Sequence, residues 1–591
     1  METNRRVPRD ERGHKRGSLA KVGGDHSFPE LGADERLHPS AAFFLYFSAA
    51  DRSVLFPSRA ASDQAKACLS GPQFSRCTFY ASPPLIRSHA LLNVDVSSPS
   101  FSDFSELQKP LDHFRAKTKR LKIHPLESLL LWVVSAHLVF LPWAIGGMSE
   151  WAQWISLGFA VLGFGVSLIP RSYTEDETGS NVFRLVMWPR LAKFPIWWLG
   201  LALLALVTIQ GLNPAWRFET DGKGWWLRAI PTTTWLPTGV DVPFERGGPW
   251  RMLLIYSSVL LTSCSLWVGF TRRRVLQTLF IVLATNGVLL AGFGIAQRLL
   301  GNGKIFWFYD SPNSSYFSSF IYKNHGGTYL VLSLAVTCGL AAWYYLRGLR
   351  RMEKSNPAGV FAFFATCIAI AILISYARGA TITMLGYLTV CVVVFIGHQL
   401  MMKNTTRKPL VAVVLMIIFG FFLKTGLDAL NSREAWTRLK AGMNREDMSL
   451  DAREWATSAS VAMLKDNWQG GIGAGSFRLL FPIYQHRDPR LSSRPQFWEH
   501  AHNDIVQTPI ELGLTGMVLL MAMGGYLLFA LSRSFFWENP LSGCTVLGIG
   551  GVVAYAWWDF PFQCPAILLT WCVLGIAVTL WTRFEELNVR G

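Results

Sequence analysis

Uninterrupted apolar blocks of about 20 residues, the length that crosses ~30 Å of hydrocarbon, recur along this chain from Leu126 onward. A soluble chain of 591 residues would carry more charge and shorter apolar groups, whereas this one is 51% hydrophobic and 16% charged. The pattern predicts an all-α polytopic membrane protein with about twelve transmembrane helices. The predicted spans are 126–146, 151–169, 194–212, 250–270, 275–299, 327–346, 358–376, 379–400, 409–427, 506–530, 544–562 and 565–582.

Lysine and arginine are divided unevenly among the connections between these spans. The formal net charge is +17, and much of the excess lies in 115–122, 171–193, 272–274, 347–354 and 403–408. The short connections 147–150, 377–379 and 559–564 hold a single cation, Arg378. The positive-inside tendency therefore predicts that both termini are cytoplasmic and that loops 213–249, 300–326 and 428–505 lie outside. Because topology accounts for this charge, no nucleic acid partner is predicted.

Four parts follow from this layout. Residues 1–115 lack a sustained period and are predicted to be a disordered or spurious tail. Residues 116–427 hold spans one to nine, 428–505 form the large external loop, and 506–591 hold the last three spans and a short cytoplasmic tail. Loops that long usually carry function, and helices are expected in this one at Glu434–Lys440 and Arg453–Asp466.

The segment GGIGAGSF, Gly470–Phe477, has the glycine content of a phosphate-binding loop. The dinucleotide pattern needs a glycine three residues after Gly475, where Arg478 stands. Its external placement also separates it from cytoplasmic nucleotides. We therefore predict a tight turn that returns the loop to the membrane surface.

Two histidines stand close to the start of span 506–530. His500 and His502, with Glu499 and Asp504, have the residue types of a metal site, but no third histidine or cysteine lies near them. The nine cysteines show no paired spacing, so neither a disulfide framework nor a zinc site is predicted. As a base, His502 has a side chain whose ordinary pKa of ~6.5 suits removal of a hydroxyl proton, with Asn503 or Asp504 to fix its tautomer.

Plain helix architecture explains part of the same stretch. Thr508 to Glu511 form a capping box with Pro509 at the first helical position. Gly513 and Gly516 are then close-packing residues. This interpretation leaves His502 unexplained.

Cations on the outside form a second group of candidates. Arg378 is either a snorkelling side chain or a guanidinium that binds phosphate bidentately. The large loop adds external arginines at 433, 438, 445, 453, 487, 490 and 494, which favours an anionic ligand. Lys323 and His325 stand at the entrance of the sixth span.

Several segments resemble the O-antigen ligase and polymerase family of bacterial membrane glycosyltransferases. They are YKNHGGTYL, SYARGA, AREW, GGIGAGSFRLLFPIYQ and AHNDIVQTPIELGLTG, in that order. The most specific element is the spacing of His502 and Asn503 from Gly513 and Gly516.

The resemblance implies a protein of the bacterial inner membrane with a periplasmic active site. It would pass a glycan from undecaprenyl diphosphate to an acceptor hydroxyl, such as lipid A–core, without nucleotide or metal. It further implies that His502 is the base and that Arg378 and Arg453 hold the diphosphate. Lys323, His325 and Asn503 complete the predicted substrate-binding set.

The acceptor and the class of protein stay open at this stage. The family includes ligases, repeat-unit polymerases and transferases to protein serine or threonine, which share their chemistry. A membrane transporter is the alternative from another class, but it predicts charged residues within several spans and inverted repeats. The spans are nearly free of charge in their middles, which favours the enzyme.

Overall fold

The computed structural model describes residues 22–23, 123–174, 182–313, 315–351, 355–401, 420, 448–492 and 497–590. The predicted N-terminal tail apart from Val22–Gly23, the predicted span 409–427 apart from Gly420, and the predicted helix Glu434–Lys440 lie outside these residues.

The described chain is mostly helical. In chain order the helices are α1 (Pro125–Trp143), α2 (Glu150–Leu168), α3 (Trp188–Ala192), α4 (Pro195–Leu212), α5 (Pro249–Gly269), α6 (Arg273–Leu300), α7 (Lys323–Arg351), α8 (Ala358–Ile374), α9 (Arg378–Met401), α10 (Met448–Asn467), α11 (Phe477–Arg487), α12 (Pro489–Ser492), α13 (Asp504–Arg533), α14 (Pro540–Tyr555) and α15 (Pro565–Arg590). Helices α1, α4, α5, α14 and α15 begin at proline, whose fixed φ suits the first helical position.

Within the described ranges, eight helices are long and apolar enough to cross a membrane. They are α1, α2, α4, α5, α6, α7, α13 and α15, while α8, α14 and the apolar part of α9 (Arg378–Val394) are shorter. Each of them lies on a predicted span. The membrane-protein class is therefore confirmed, and the total of twelve spans stays a prediction.

Loop 213–249, predicted to lie outside, contains strands, which the prediction of an all-α chain missed. Strands β1 (Val22–Gly23), β5 (Gly224–Ala229), β4 (Pro214–Thr220) and β6 (Gly239–Asp241) form one sheet in that order, and β2 (Arg171–Thr174) pairs with β3 (Val182–Leu185) elsewhere. Asp221 accepts hydrogen bonds from the backbone N–H groups of Lys223 and Gly224, which closes the hairpin between β4 and β5. Alternation along β4 turns its apolar side chains toward one face.

The sheet and the helices of the large loop share a core. Trp216 and Phe218 of β4 and Leu227 of β5 pack against a buried cluster that includes Ala456 of α10 and Phe481 of α11. The predicted helix Arg453–Asp466 is confirmed as part of α10. This loop layer, which consists of the sheet, α10 and α11, carries Arg453 and leads directly into α13.

A close contact joins the start of α9 to the end of α14. Tyr376, with φ 54°, forms the tight turn between α8 and α9, so Arg378 follows with almost no loop, as predicted. A side chain at Gly379 would overlap the ring of Tyr555. Glycine at this position therefore brings the start of α9 against the end of α14.

Candidate active site

His502 lies directly before α13 in a backbone conformation that is uncommon for a residue with a side chain. Its φ is 52°, in the left-handed region, and its side chain is 21% exposed. The next residue, Asn503, is the N-cap of α13, and its Oδ1 accepts a hydrogen bond of 3.1 Å from the N–H of Val506. The helix therefore begins at Asp504, and the predicted capping box at Thr508 to Glu511 is wrong, since Pro509 lies inside the helix.

The glycine-rich segment connects α13 to the loop layer. Gly471, Gly473 and Gly475 all have positive φ, which confirms the predicted tight turn. Ile472 and Gly473 donate hydrogen bonds of 3.0 and 3.1 Å to the carbonyls of residues 510 and 511. The carboxylate of Glu511 in turn accepts a hydrogen bond of 2.9 Å from the N–H of Gly475. The segment thus sets the position of the helix that follows His502.

Gly513 interrupts α13 with φ 64° and ψ −172°, a conformation almost confined to glycine. A Cβ there would lie 2.7 Å from the carbonyl oxygen of Gln469, so the predicted close-packing role is confirmed.

We expect Gly513→Ala to lower the free energy of unfolding by about 1–3 kcal/mol. Gly524→Ala on the same helix, where a Cβ meets open space, is the control. Equal thermal unfolding of the two variants in detergent would contradict the prediction.

Asp559, which the sequence analysis did not select, faces His502. Its Oδ1 lies 3.7 Å from Nδ1 of His502, and that buried Nδ1 has no hydrogen-bond partner among the described residues. Asp559 accepts hydrogen bonds from Nδ2 of Asn324 and from the hydroxyl of Tyr555. It accepts a third hydrogen bond, of 3.0 Å, from the N–H of Phe560. A carboxylate held this firmly is suited to orient an imidazole and to stabilise its protonated form.

Asp504, predicted as a tautomer partner, has a different role. Its carboxylate accepts a hydrogen bond of 2.8 Å from the N–H of Phe562 and one of 3.2 Å from Nε2 of Gln563. Its own N–H donates to the carbonyls of Ala556 and Asp559. Asp504 therefore ties the start of α13 to the 556–564 turn and sets the separation of His502 and Asp559.

Arg453 reaches the same cluster from α10. Its Nη2 donates a hydrogen bond of 3.1 Å to the hydroxyl of Tyr322. The same hydroxyl accepts a hydrogen bond of 2.7 Å from Nδ2 of Asn324. Since Asn324 donates to Asp559 as well, one polar network connects Arg453 with the partner of His502.

Charge and burial set the protonation of this network. Burial alone would raise the pKa of Asp559, but His502, Arg453 and the hydroxyl of Tyr555 outweigh it, and the pKa lies below its usual range. Burial lowers the pKa of His502 from its ordinary 6.5, although the carboxylate of Asp559 opposes the change. At neutral pH the carboxylate is ionised and the imidazole is neutral, the state that accepts a proton.

A cavity of about 2330 Å³ opens at this network. It brings together most of the residues that the sequence analysis selected, namely Lys323, Arg378, Arg453, His502 and Asn503. It then continues between α7, α9 and α14 along apolar side chains such as Leu385, Val393 and Leu547. The cavity is therefore cationic at one end and apolar over its length.

The other two candidate histidines, His325 and His500, are not among the residues that line the cavity. His325 is buried, with Nε2 3.3 Å from the carbonyl oxygen of Phe560. The ring of His500 stacks on Phe560 at 4.4 Å, and its Nδ1 lies 3.3 Å from Nε2 of Gln507. Burial, reinforced by the neighbouring histidines, lowers the pKa of His500 to about 3.

The four donors considered for a metal point to different partners. Glu499 lies 3.6 Å from Arg478, and Asp504 binds the 556–564 turn. In the described part of the chain, no group of three or more His, Cys, Asp or Glu side chains is arranged to hold a metal ion.

A family model matches part of the chain. The family model described as O-antigen ligase matches residues 360–521, from α8 into α13. The range contains Arg378, Arg453 and His502, while Lys323 and Asp559 lie outside it. The chain matches no curated protein. Together with the apolar helices, the match supports a multi-pass inner-membrane protein of polysaccharide biosynthesis, and it confirms the resemblance of residues 360–521 to the O-antigen ligase family.

Proposed function

We propose that the protein transfers a glycan from undecaprenyl diphosphate to an acceptor hydroxyl, such as one on lipid A–core. The reaction takes place at the periplasmic face of the inner membrane, with the C-terminus of the protein in the cytoplasm. The predicted cytoplasmic N-terminus is not part of this proposal, because Val22–Gly23 pairs with β5 of loop 213–249, which the proposal places on the periplasmic side. His502 is the general base, and Arg378 and Arg453 hold the diphosphate. The family match supports glycan transfer of the ligase or polymerase type.

The cavity is the observation that carries this proposal. A polyprenyl diphosphate has a long apolar chain and a compact anionic head, and the cavity has the same division. Arg378 and Arg453 line its polar end together with His502, and the groove between α7, α9 and α14 provides the apolar length. Two guanidinium groups suit a diphosphate because each can donate two parallel hydrogen bonds.

The geometry supports one displacement step. The acceptor oxygen attacks the anomeric carbon of the donor sugar while Nε2 of His502 takes the hydroxyl proton. The bond between that carbon and the phosphate oxygen breaks, and undecaprenyl diphosphate leaves with the electron pair. Arg378 and Arg453 stabilise the charge that develops on the leaving group. Asp559, 3.7 Å from Nδ1 of His502, stabilises the imidazolium that forms.

Surface glycans of a deletion strain test the proposal. Loss of long chains from lipid A–core, with polymer retained on undecaprenyl diphosphate, supports the ligase. Single repeat units in place of long chains mean that the protein is a polymerase. Unchanged surface glycans and an altered glycoprotein pattern mean a protein O-oligosaccharyltransferase. Normal glycans of every kind contradict the proposal.

Arg378 is expected to be required for use of the donor. Arg378→Lys keeps the charge but loses the planar fork, so transfer by the purified protein should fall well below that of the wild type. Arg487→Lys is the control, because Arg487 is an external arginine that lies 3.4 Å from Asp466. Normal transfer by Arg378→Ala would instead mean that Arg378 only snorkels to the membrane surface.

A further inference from the structure

Trp557 and Trp558 stand exposed at the polar end of the cavity. Their relative exposures are 53% and 66%, and both line the cavity that contains Arg378, Arg453 and His502. They directly precede Asp559 in the chain. Two large aromatic side chains beside the reacting groups are thus available to a ligand.

The backbone around the two tryptophans is fixed on both sides. The carbonyls of Ala556 and Asp559 accept hydrogen bonds of 2.9 and 3.2 Å from the N–H of Asp504. The N–H of Trp558 donates a hydrogen bond of 2.9 Å to the carbonyl of Tyr555. Stacking of a ligand on these rings therefore costs little backbone conformational entropy.

We propose that Trp557 and Trp558 form a saccharide-binding subsite of the cavity. A sugar ring has an apolar C–H face and a polar rim, and an indole offers a flat apolar face with an N–H donor at its edge. The sugar attached to the diphosphate lies within one ring length of the phosphate groups. A diphosphate held by Arg378 and Arg453 thus brings a ring toward these tryptophans. This inference rests on the proposed function.

Tryptophans also mark membrane interfaces, and the chain provides a control for that role. Trp537 is 56% exposed and lines the same cavity, but it lies before the other end of α14. Sixteen helical residues separate the two ends by about 24 Å. Trp537 therefore lines the same cavity as Trp557 and Trp558, but it does not lie at the polar end of that cavity.

The test compares ligands with and without sugar, using protein in lipid nanodiscs. For the double variant Trp557→Ala/Trp558→Ala, we expect KM for the lipid-linked glycan or for the acceptor glycan to rise about tenfold, which is ~1.4 kcal/mol. Which KM rises identifies the source of the sugar. The Kd of sugar-free undecaprenyl diphosphate should not change, and the double phenylalanine variant should recover most of the loss. Trp537→Ala should affect the lipids with and without sugar alike.

Equal weakening of glycan-bearing and sugar-free lipid by the double alanine variant would overturn the subsite, because it would place the rings against lipid. Unchanged KM for both substrates would overturn it as well. A wild-type protein that binds the lipids but transfers nothing would contradict the proposed function instead. The ratio of the two lipid affinities would still report on the tryptophans in that case.

Discussion

Glycan transfer by the His502→Ala variant is expected to fall by about 10²–10⁴, the usual loss when a positioned general base is removed. His502 lines the cavity beside Arg453, and its low pKa keeps it neutral and ready to accept a proton near pH 7. The assay uses purified lipid-linked glycan and acceptor. Donor binding should persist in the variant, because Arg378 and Arg453 are unchanged.

His500→Ala is the matched control, since it removes a second histidine two residues away. The His500 ring is stacked on Phe560 and lies beside Gln507, so its loss removes a packing contact and most transfer should remain. Added chelator should change nothing. If His500→Ala is the inactive variant, or if chelator stops transfer and zinc restores it, the assignment of the base fails.

The sequence was most informative where one physical requirement acts on many residues together. An apolar block must be long enough to cross the bilayer and must satisfy its backbone internally, so span positions can be predicted from length alone. His502 and Arg378 stood out because ionisable groups beside an apolar span are costly without a role. Arg453 was selected from the arginines of the large loop by the family resemblance. The structure places all three on one cavity.

Residues whose roles depend on pairing across the fold were not predictable in the same way. Asp559 is 57 positions after His502, and only the hydrogen bonds between Asp504 and the 556–564 turn bring the two together. Its position gave one usable signal, since it is a carboxylate in the short connection 559–564 between two apolar segments. Asp504 was assigned to His502 because it is close in sequence, but it binds the 556–564 turn.

Local signals also competed. The capping box at Thr508 to Glu511 is a valid pattern, but Asn503 caps the helix one turn earlier because Asp504 is fixed by the 556–564 turn. The strands β4 and β5 alternate in the usual way around Asp-Gly-Lys-Gly. The sequence analysis treated this segment only as a loop, and so it missed the hairpin.

Asp559→Asn is expected to lower the maximal rate of transfer, by about 10² on the scale of acid–base contributions. The carboxylate is needed to hold the His502 ring and to stabilise the imidazolium that forms as the acceptor loses its proton. Asparagine keeps the size of the side chain and one acceptor for the donors from Asn324 and Tyr555. Thermal unfolding should therefore change much less than kcat.

The pH profile separates this role from a purely structural one. His502 must be neutral to act, so transfer declines as pH falls through its pKa, which burial holds below 6.5. Asp559 favours the imidazolium and opposes that shift, so its loss lowers the pKa of His502 further. The acidic limb of the profile should then move to lower pH in Asp559→Asn, while the plateau drops. Glu499→Gln, which neutralises an exposed carboxylate beside Arg478, should leave both unchanged. A variant with a lower plateau and an unmoved acidic limb would mean that Asp559 holds the turn in place and does not act on the imidazole.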